Sequence, residues 1–459
     1  MLNFKNENVK RVFAGIVAVL MMFSVVGCGG NGNKDKTDSE PISSGDKSGI
    51  VTNKVDTSDS QIANKDFGGE YFKMLYRWEP GDITTRTIEA FNRDHNAYID
   101  VVVDNSNTIY ETLAVAIAGG DPYDLVCVYD YWFPNMAVQG LVEPLDSYYT
   151  DVDLYSTDKP ENGGILKQFS DHYTLDNKVY AVGSARSVYQ LLMYYNKKMF
   201  KEAGLEDPWE LYKAGNWNWS KFMEMGTSVT DVSNKIGFTA FGDVHAWLAL
   251  CGTQVIKKND DGSYRSCAKD ADVINVLKEY RSLYLGTNPI CVSGSSFDQG
   301  TQYAEFSAIT AYSGKVNSAA TSTAFDRDSA NLGVVPCPIP ALNTSGAYPV
   351  HASTGYASCK GAKDPSIAVC FALYESRIND TDTGSATQLP PEIYNVIVAE
   401  YEKNPSFTYD GFANSSGVPV GNYYRDNVGK PILLGADVTQ TLSNANSVIE
   451  GMIASSLKK

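Results

Sequence analysis

At 459 residues the chain exceeds what one hydrophobic core holds, so two or more lobes are expected. A formal charge of −16 excludes nucleic-acid binding through a basic footprint, and it equally excludes broad adhesion to anionic lipid by charge. The 43 % hydrophobic content is that of a globular protein, and the 29 Tyr and 6 Trp supply flat apolar faces with polar tips, suited to wet pockets as well as to cores.

Lys5, Lys10 and Arg11 precede an apolar run, Val12 to Val26, that is short for a membrane span. The run ends in Val25-Val26-Gly27-Cys28, and the whole resembles a bacterial lipoprotein signal. That resemblance implies a signal peptide over 1–27 and a lipid on Cys28; the alternative is an ordinary secretory signal with an incidental cysteine. Residues 28–68, rich in Gly, Ser, Asn, Asp, Lys and Thr, read as a flexible tether, because they bury too little to offset their ordering entropy. Folded structure is expected from near Gly69.

Tyr71 to Trp78 reads as a strand, and a helical face of Ile83, Ile88 and Phe91 follows it. A second strand, Tyr98 to Val103, and a second helix, Tyr110 to Ala118, come next. This alternation predicts a mostly parallel sheet covered on both faces. Asp124 opens a third, buried strand that delivers Tyr129, Asp130, Tyr131 and Trp132 to its carboxyl end, where open α/β sheets bind ligands. Asp130 suits a helix N-cap before Pro134 equally well. Trp78 holds the matching position at the end of the first strand.

Asp176-Asn177-Lys178 gives a hairpin signal. After it, Val188 to Tyr195 reads as a strand crossing between lobes, which makes Tyr189 and Gln190 candidates for the cleft. A short helix then stops at Gly204. A further helix begins near Trp219, and Trp247 lies on another. Asn259 to Gly262 reads as a turn between two short strands, since the remaining ligands of a calcium loop are missing. Asp270 to Leu285 is an amphipathic helix. The segment Ala304 to Tyr312 should end a strand at the cleft, exposing Tyr312. His351 to Ser358 reads as a second crossing that carries Tyr356. A helix at Pro391 to Tyr401 is assigned to the first lobe, and Gly417 to Leu434 crosses back with Tyr423 exposed.

The passage VYAVGSARSVYQLLMYYNKKMFKEAGL resembles "G-x-x-Y-A-x-P … YNK-x-x-F-x-x-A-G-L" of the extracellular solute-binding proteins that serve carbohydrate ABC importers. Gly183 replaces the usual proline. The segments GGDPYDLVCVYDYWFPNMAVQGLVEPL, NWNWSKF, FDQG and KGAKDPSIAVCF are similar to further motifs of that family, in the same order. The resemblance implies a type II periplasmic-binding-protein-like α/β fold, with two lobes of mixed sheet joined by crossover strands around a ligand cleft. It places lobe one at 69–185 and 353–410, and lobe two at 186–352 and 411–459. It further implies a monomeric binding protein without cofactor, partnered by a carbohydrate and by ABC permease subunits, and held at the outer membrane face through Cys28. Ligand contacts would come from Trp78, Asp130, Trp132, Tyr189, Gln190, Trp247, Tyr312, Tyr356 and Tyr423.

Catalytic signatures are missing from the sequence. With Cys28 set apart, an odd number of cysteines remains, so they cannot all pair. The spacings give no zinc set, nucleophile elbow or phosphate loop. A surface glycosidase remains as an alternative, because the separation of two carboxylates is not written in a sequence. An adhesive or sensory lipoprotein is the other.

Overall fold

The structure is a computed structural model that describes residues 62–106, 109–129, 132–133, 135–149, 167–183, 188–241, 244–259, 261–376, 389–403, 405–407 and 420–457. The expectations for Cys28 and Asp130 lie outside these residues.

Three parallel strands start the first lobe: β1 (Glu70–Tyr76), β2 (Ala97–Val103) and β3 (Leu125–Tyr129). β1 is central, pairing with β2 from Glu70↔Ala97 to Tyr76↔Val103 and with β3 at Met74↔Leu125. Parallel neighbours need a long return, and the helices Asp82–Asp94 and Ile109–Ala118 provide it. Alternate residues separate to the two faces of the sheet. Phe72, Met74, Ile99 and Cys127 meet Ile88, Phe91 and the helix Ser366–Ser376 on one side. Leu75, Val126 and Val128 meet Ile109 and Leu113 on the other.

After β4 (Val142–Glu143) comes the hairpin of β5 (Thr174–Leu175) and β6 (Lys178–Val179). Its two turn residues, Asp176 and Asn177, have φ of 50° and 59°, a left-handed pair that Asp and Asn tolerate and that matches strand twist. The chain then enters β7 (Val188–Asn196), which is buried along most of its length.

In the second lobe β8 (Ile256–Lys258) and β9 (Tyr264–Ser266) form a hairpin. β7 runs between β10 (Ala304–Ala308) and β11 (Leu332–Pro336), antiparallel to both. The twelve-residue β12 (Tyr348–Cys359) joins the lobes. Its start pairs with β13 (Pro405–Phe407) and with the Val188–Gln190 end of β7, and its Thr354–Ser358 stretch pairs antiparallel with β3. A register shift between Val350 and Ala352 marks the passage. β7 and β12 therefore carry one mixed sheet from lobe to lobe. Among the described residues, no helix is long and apolar enough to cross a membrane.

Two boundaries differ from the sequence reading. Folding begins before Gly69: Ile62, Ala63 and Phe67 are buried in the first-lobe core, and Lys65 pairs with Asp364 at 2.5 Å. The tether's low apolar content hid these few anchors. The helix Pro391–Lys403 belongs with the second lobe, where Leu389, Ile397 and Tyr401 pack with Leu192, Tyr194 and Val334, and the Tyr401 phenol donates to the Leu191 carbonyl of β7.

Candidate functional site

β1 and β3 are parallel, so their carboxyl ends open on the same side of the sheet, where β7 and β12 cross. The chain bends at Arg77 and Trp78, directly after β1. The Arg77 guanidinium lies 4.4 Å from the centre of the Trp78 ring and 5.5 Å from those of Tyr129 and Trp132. Tyr129 and Trp132 meet edge to face at 5.1 Å. The Tyr189 ring of β7 stands 6.2 Å from that of Tyr129, and Thr354 of β12 is the strand-pairing partner of Tyr129. Four elements thus contribute to one cluster, which holds a cation amid three rings.

Burial governs its electrostatics. It pushes the Tyr129 phenol up and the Tyr189 phenol well up from their ordinary value. The Cys127 thiol of β3 is pushed up to about 12 by burial. These groups stay protonated near neutral pH and act as hydrogen-bonding groups, not as nucleophiles or bases. Trp78 stands apart: its side chain is 47 % exposed and presents an indole to solvent at the strand end.

Of the residues singled out from sequence, the structure brings Trp78, Trp132 and Tyr189 into this cluster. Trp132 is 1 % exposed, so it serves as the cluster's base and offers no open face. Gln190 is buried within β7, in register with Val350. Trp247 is a core residue and not a cleft residue: its indole N–H donates to the Val276 carbonyl at 2.8 Å, and its ring packs on Phe241 and Trp219. Tyr356 is likewise turned away, buried against Phe371 with its phenol donating to Glu375 at 2.7 Å. β10 ends at Ala308, short of Tyr312, which instead opens the helix Tyr312–Thr321 and stacks on Tyr194. Tyr423 is part-buried on the helix Val420–Tyr424, against the second-lobe core.

Arg77 and Thr354 were missed in the sequence, and Tyr129 was placed at the strand end without being singled out as a contact. The argument that located Trp78, a place just past the end of β1, applied equally to Arg77. Thr354 carried no such signal, because its role depends on the pairing of β12 with β3.

A separate groove of about 420 Å³ runs between the lobes. Leu175 and Tyr180 line it from the first lobe, and Tyr264, Glu450, Ile453 and Leu457 line it from the second. Among the described residues no cluster of His, Cys, Asp or Glu could hold a metal ion. Their seven cysteines are all buried and unbridged, including Cys251, Cys267 and Cys291.

This geometry has relatives. A curated binding protein of Brucella abortus (strain 2308) is 27 % identical over 187 residues, 39 % of this chain and 40 % of that protein. The chain's match thus spans 40 % of the length of such curated relatives. Among solved structures, a cyclic alpha-maltosyl-1,6-maltose binding protein from Arthrobacter globiformis is similar, with TM-score 0.60 and 14 % identity over 84 % of this chain and 99 % of its own. An ABC substrate-binding protein from Listeria monocytogenes in complex with cycloalternan gives 0.58 at 17 %, with the same shares covered. The galacto-N-biose-/lacto-N-biose I-binding protein of a Bifidobacterium longum ABC transporter gives 0.58 at 13 %, over 85 % of this chain and 99 % of that one. At such identities the likeness concerns the fold, which is of the type II periplasmic-binding-protein kind. The sequence model of the bacterial extracellular solute-binding protein family matches residues 79–369, well over half of the chain, and the protein belongs to that family.

Proposed function

We propose that the protein captures a carbohydrate between its lobes and delivers it to the permease of an ABC importer, while a lipid on Cys28 holds it at the outer face of the membrane. The observation that carries this reading is the half-exposed Trp78 indole, set at the strand ends where the lobes meet and backed by Arg77. A flat apolar face stacks on the C–H surface of a sugar ring, while hydroxyls such as those of Tyr189 and Thr354 match a ligand rich in hydroxyl groups. The sugars bound by the Listeria and Bifidobacterium proteins named above accord with it. A ligand that touches both lobes selects the closed state, and the closed state is what a permease would recognise.

Thermal unfolding of the full chain in detergent against a panel of oligosaccharides tests the reading. At about 100 times the dissociation constant, a bound sugar adds about 2.7 kcal/mol. The sugar should be recovered intact; its cleavage would favour a glycosidase, and silence across the panel would overturn the carbohydrate assignment. For the anchor, the Cys28→Ala protein should leave the detergent phase in two-phase partitioning, whereas the wild type should stay in it.

A further inference from the structure

We propose that Arg77 is a positioning residue, which fixes the plane of the Trp78 indole so that one face only is offered to the ligand. The inference rests on the reading of Trp78 as a ligand contact. Consecutive side chains of an extended strand point to opposite faces of the sheet. Arg77 lies over the ring of its own neighbour because the chain bends at these two residues. A half-exposed indole would otherwise be free to turn about both of its side-chain torsions, and a turning ring loses entropy when a sugar immobilises it.

The guanidinium limits that freedom here, because it covers one face of the indole at 4.4 Å. With one face covered, only the other is open. Arginine suits the task because its guanidinium is flat and weakly hydrated, so it stacks on a ring at little desolvation cost. Arg77 is itself held, since Tyr129 and Trp132 flank it at 5.5 Å. The order of support runs from the buried Trp132 through Arg77 to the exposed Trp78. The outer face of the indole is thereby ready for a ligand before any ligand arrives.

The test labels the full chain in detergent with 5-fluorotryptophan, whose six ¹⁹F resonances report each indole separately. The Trp78 line is assigned by its loss in Trp78→Phe. Without any sugar, the wild type should show one narrow Trp78 line. Arg77→Met should shift and broaden that line, shift the line of Trp132 beside it, and leave the other four in place, and Arg77→Lys should restore much of the original signal. A Trp78 line in Arg77→Met that superimposes on the wild type overturns the proposal. If all six lines move, Arg77→Met has not folded, and Arg77→Gln replaces it with the same two outcomes.

A second arm measures affinity for cycloalternan and lacto-N-biose. Arg77→Met should weaken whichever sugar binds by about tenfold. If neither sugar binds the wild type, or if Trp78→Phe binds as well as the wild type does, the reading of the site fails while the ligand-free resonance still decides the role of Arg77.

Discussion

Trp78 is half-exposed and His172 is buried, and each exposes the account to a direct check. Trp78→Ala should weaken sugar binding by about 1.5–3 kcal/mol, the worth of covering a large apolar side chain. The free protein should lose no more than about 1 kcal/mol, since the ring is half in water already. Calorimetric titration and urea unfolding separate the two effects. His172 is buried, and burial pushes its imidazole down to about 3. The unfolded chain takes up that proton below about pH 6.5, while the folded chain refuses it until about pH 3. The contribution is therefore complete above pH 6.5 and declines as pH falls toward 3, by at most about 1.4 kcal/mol per pH unit. Urea unfolding should show a loss of about 2 kcal/mol between pH 7 and pH 5, and His172→Gln should flatten that limb.

β11 shows why one small residue is needed inside an element. A Cβ on Gly333 would stand 2.2 Å from the ring of Tyr195 on β7. Tyr195 cannot swing clear without cost, because its phenol donates to Asp207 at 2.7 Å. Asp207 in turn caps the helix Pro208–Lys213 by accepting from the Trp209 and Glu210 amides. Gly333→Ala should cost about 3 kcal/mol through overpacking, measured by urea unfolding. Elements of this kind divide into those legible from sequence and those that were not. The β5–β6 and β8–β9 hairpins followed from Asp, Asn and Gly at their turns, and β7 from its apolar run. The sequence placed Trp247 among the cleft contacts and the Tyr401 helix in the first lobe, because nothing local shows what buries either residue. Their partners, the Val276 carbonyl and the Leu191 carbonyl, lie 29 and 210 residues away in the chain. Among the candidates, the place of Trp78 at the end of the first strand was legible from the apolar run before it. Tyr356 failed because alternation along β12 turned it toward the helix Ser366–Ser376 and away from the crossing.

At the scale of the whole molecule, the sheet that passes through β7 and β12 is what joins the two lobes into one structure. Among the described residues, β7 and β12 pair there over a short stretch, Val188–Gln190 against the start of β12, with a register shift at Val350 and Ala352. Bending is expected at such a place, because few backbone bonds must change. The groove that Leu175 and Ile453 line from opposite lobes should alter in width as the lobes turn. Capture of a sugar between the lobes is the central claim, and lobe closure on binding is its physical consequence. Small-angle neutron scattering of the full chain in contrast-matched detergent, with and without a saturating sugar, measures this directly. The account predicts a smaller radius of gyration with sugar for the wild type and no change for Trp78→Ala at the same concentration. An unchanged radius for the wild type with sugar demonstrably bound would contradict it.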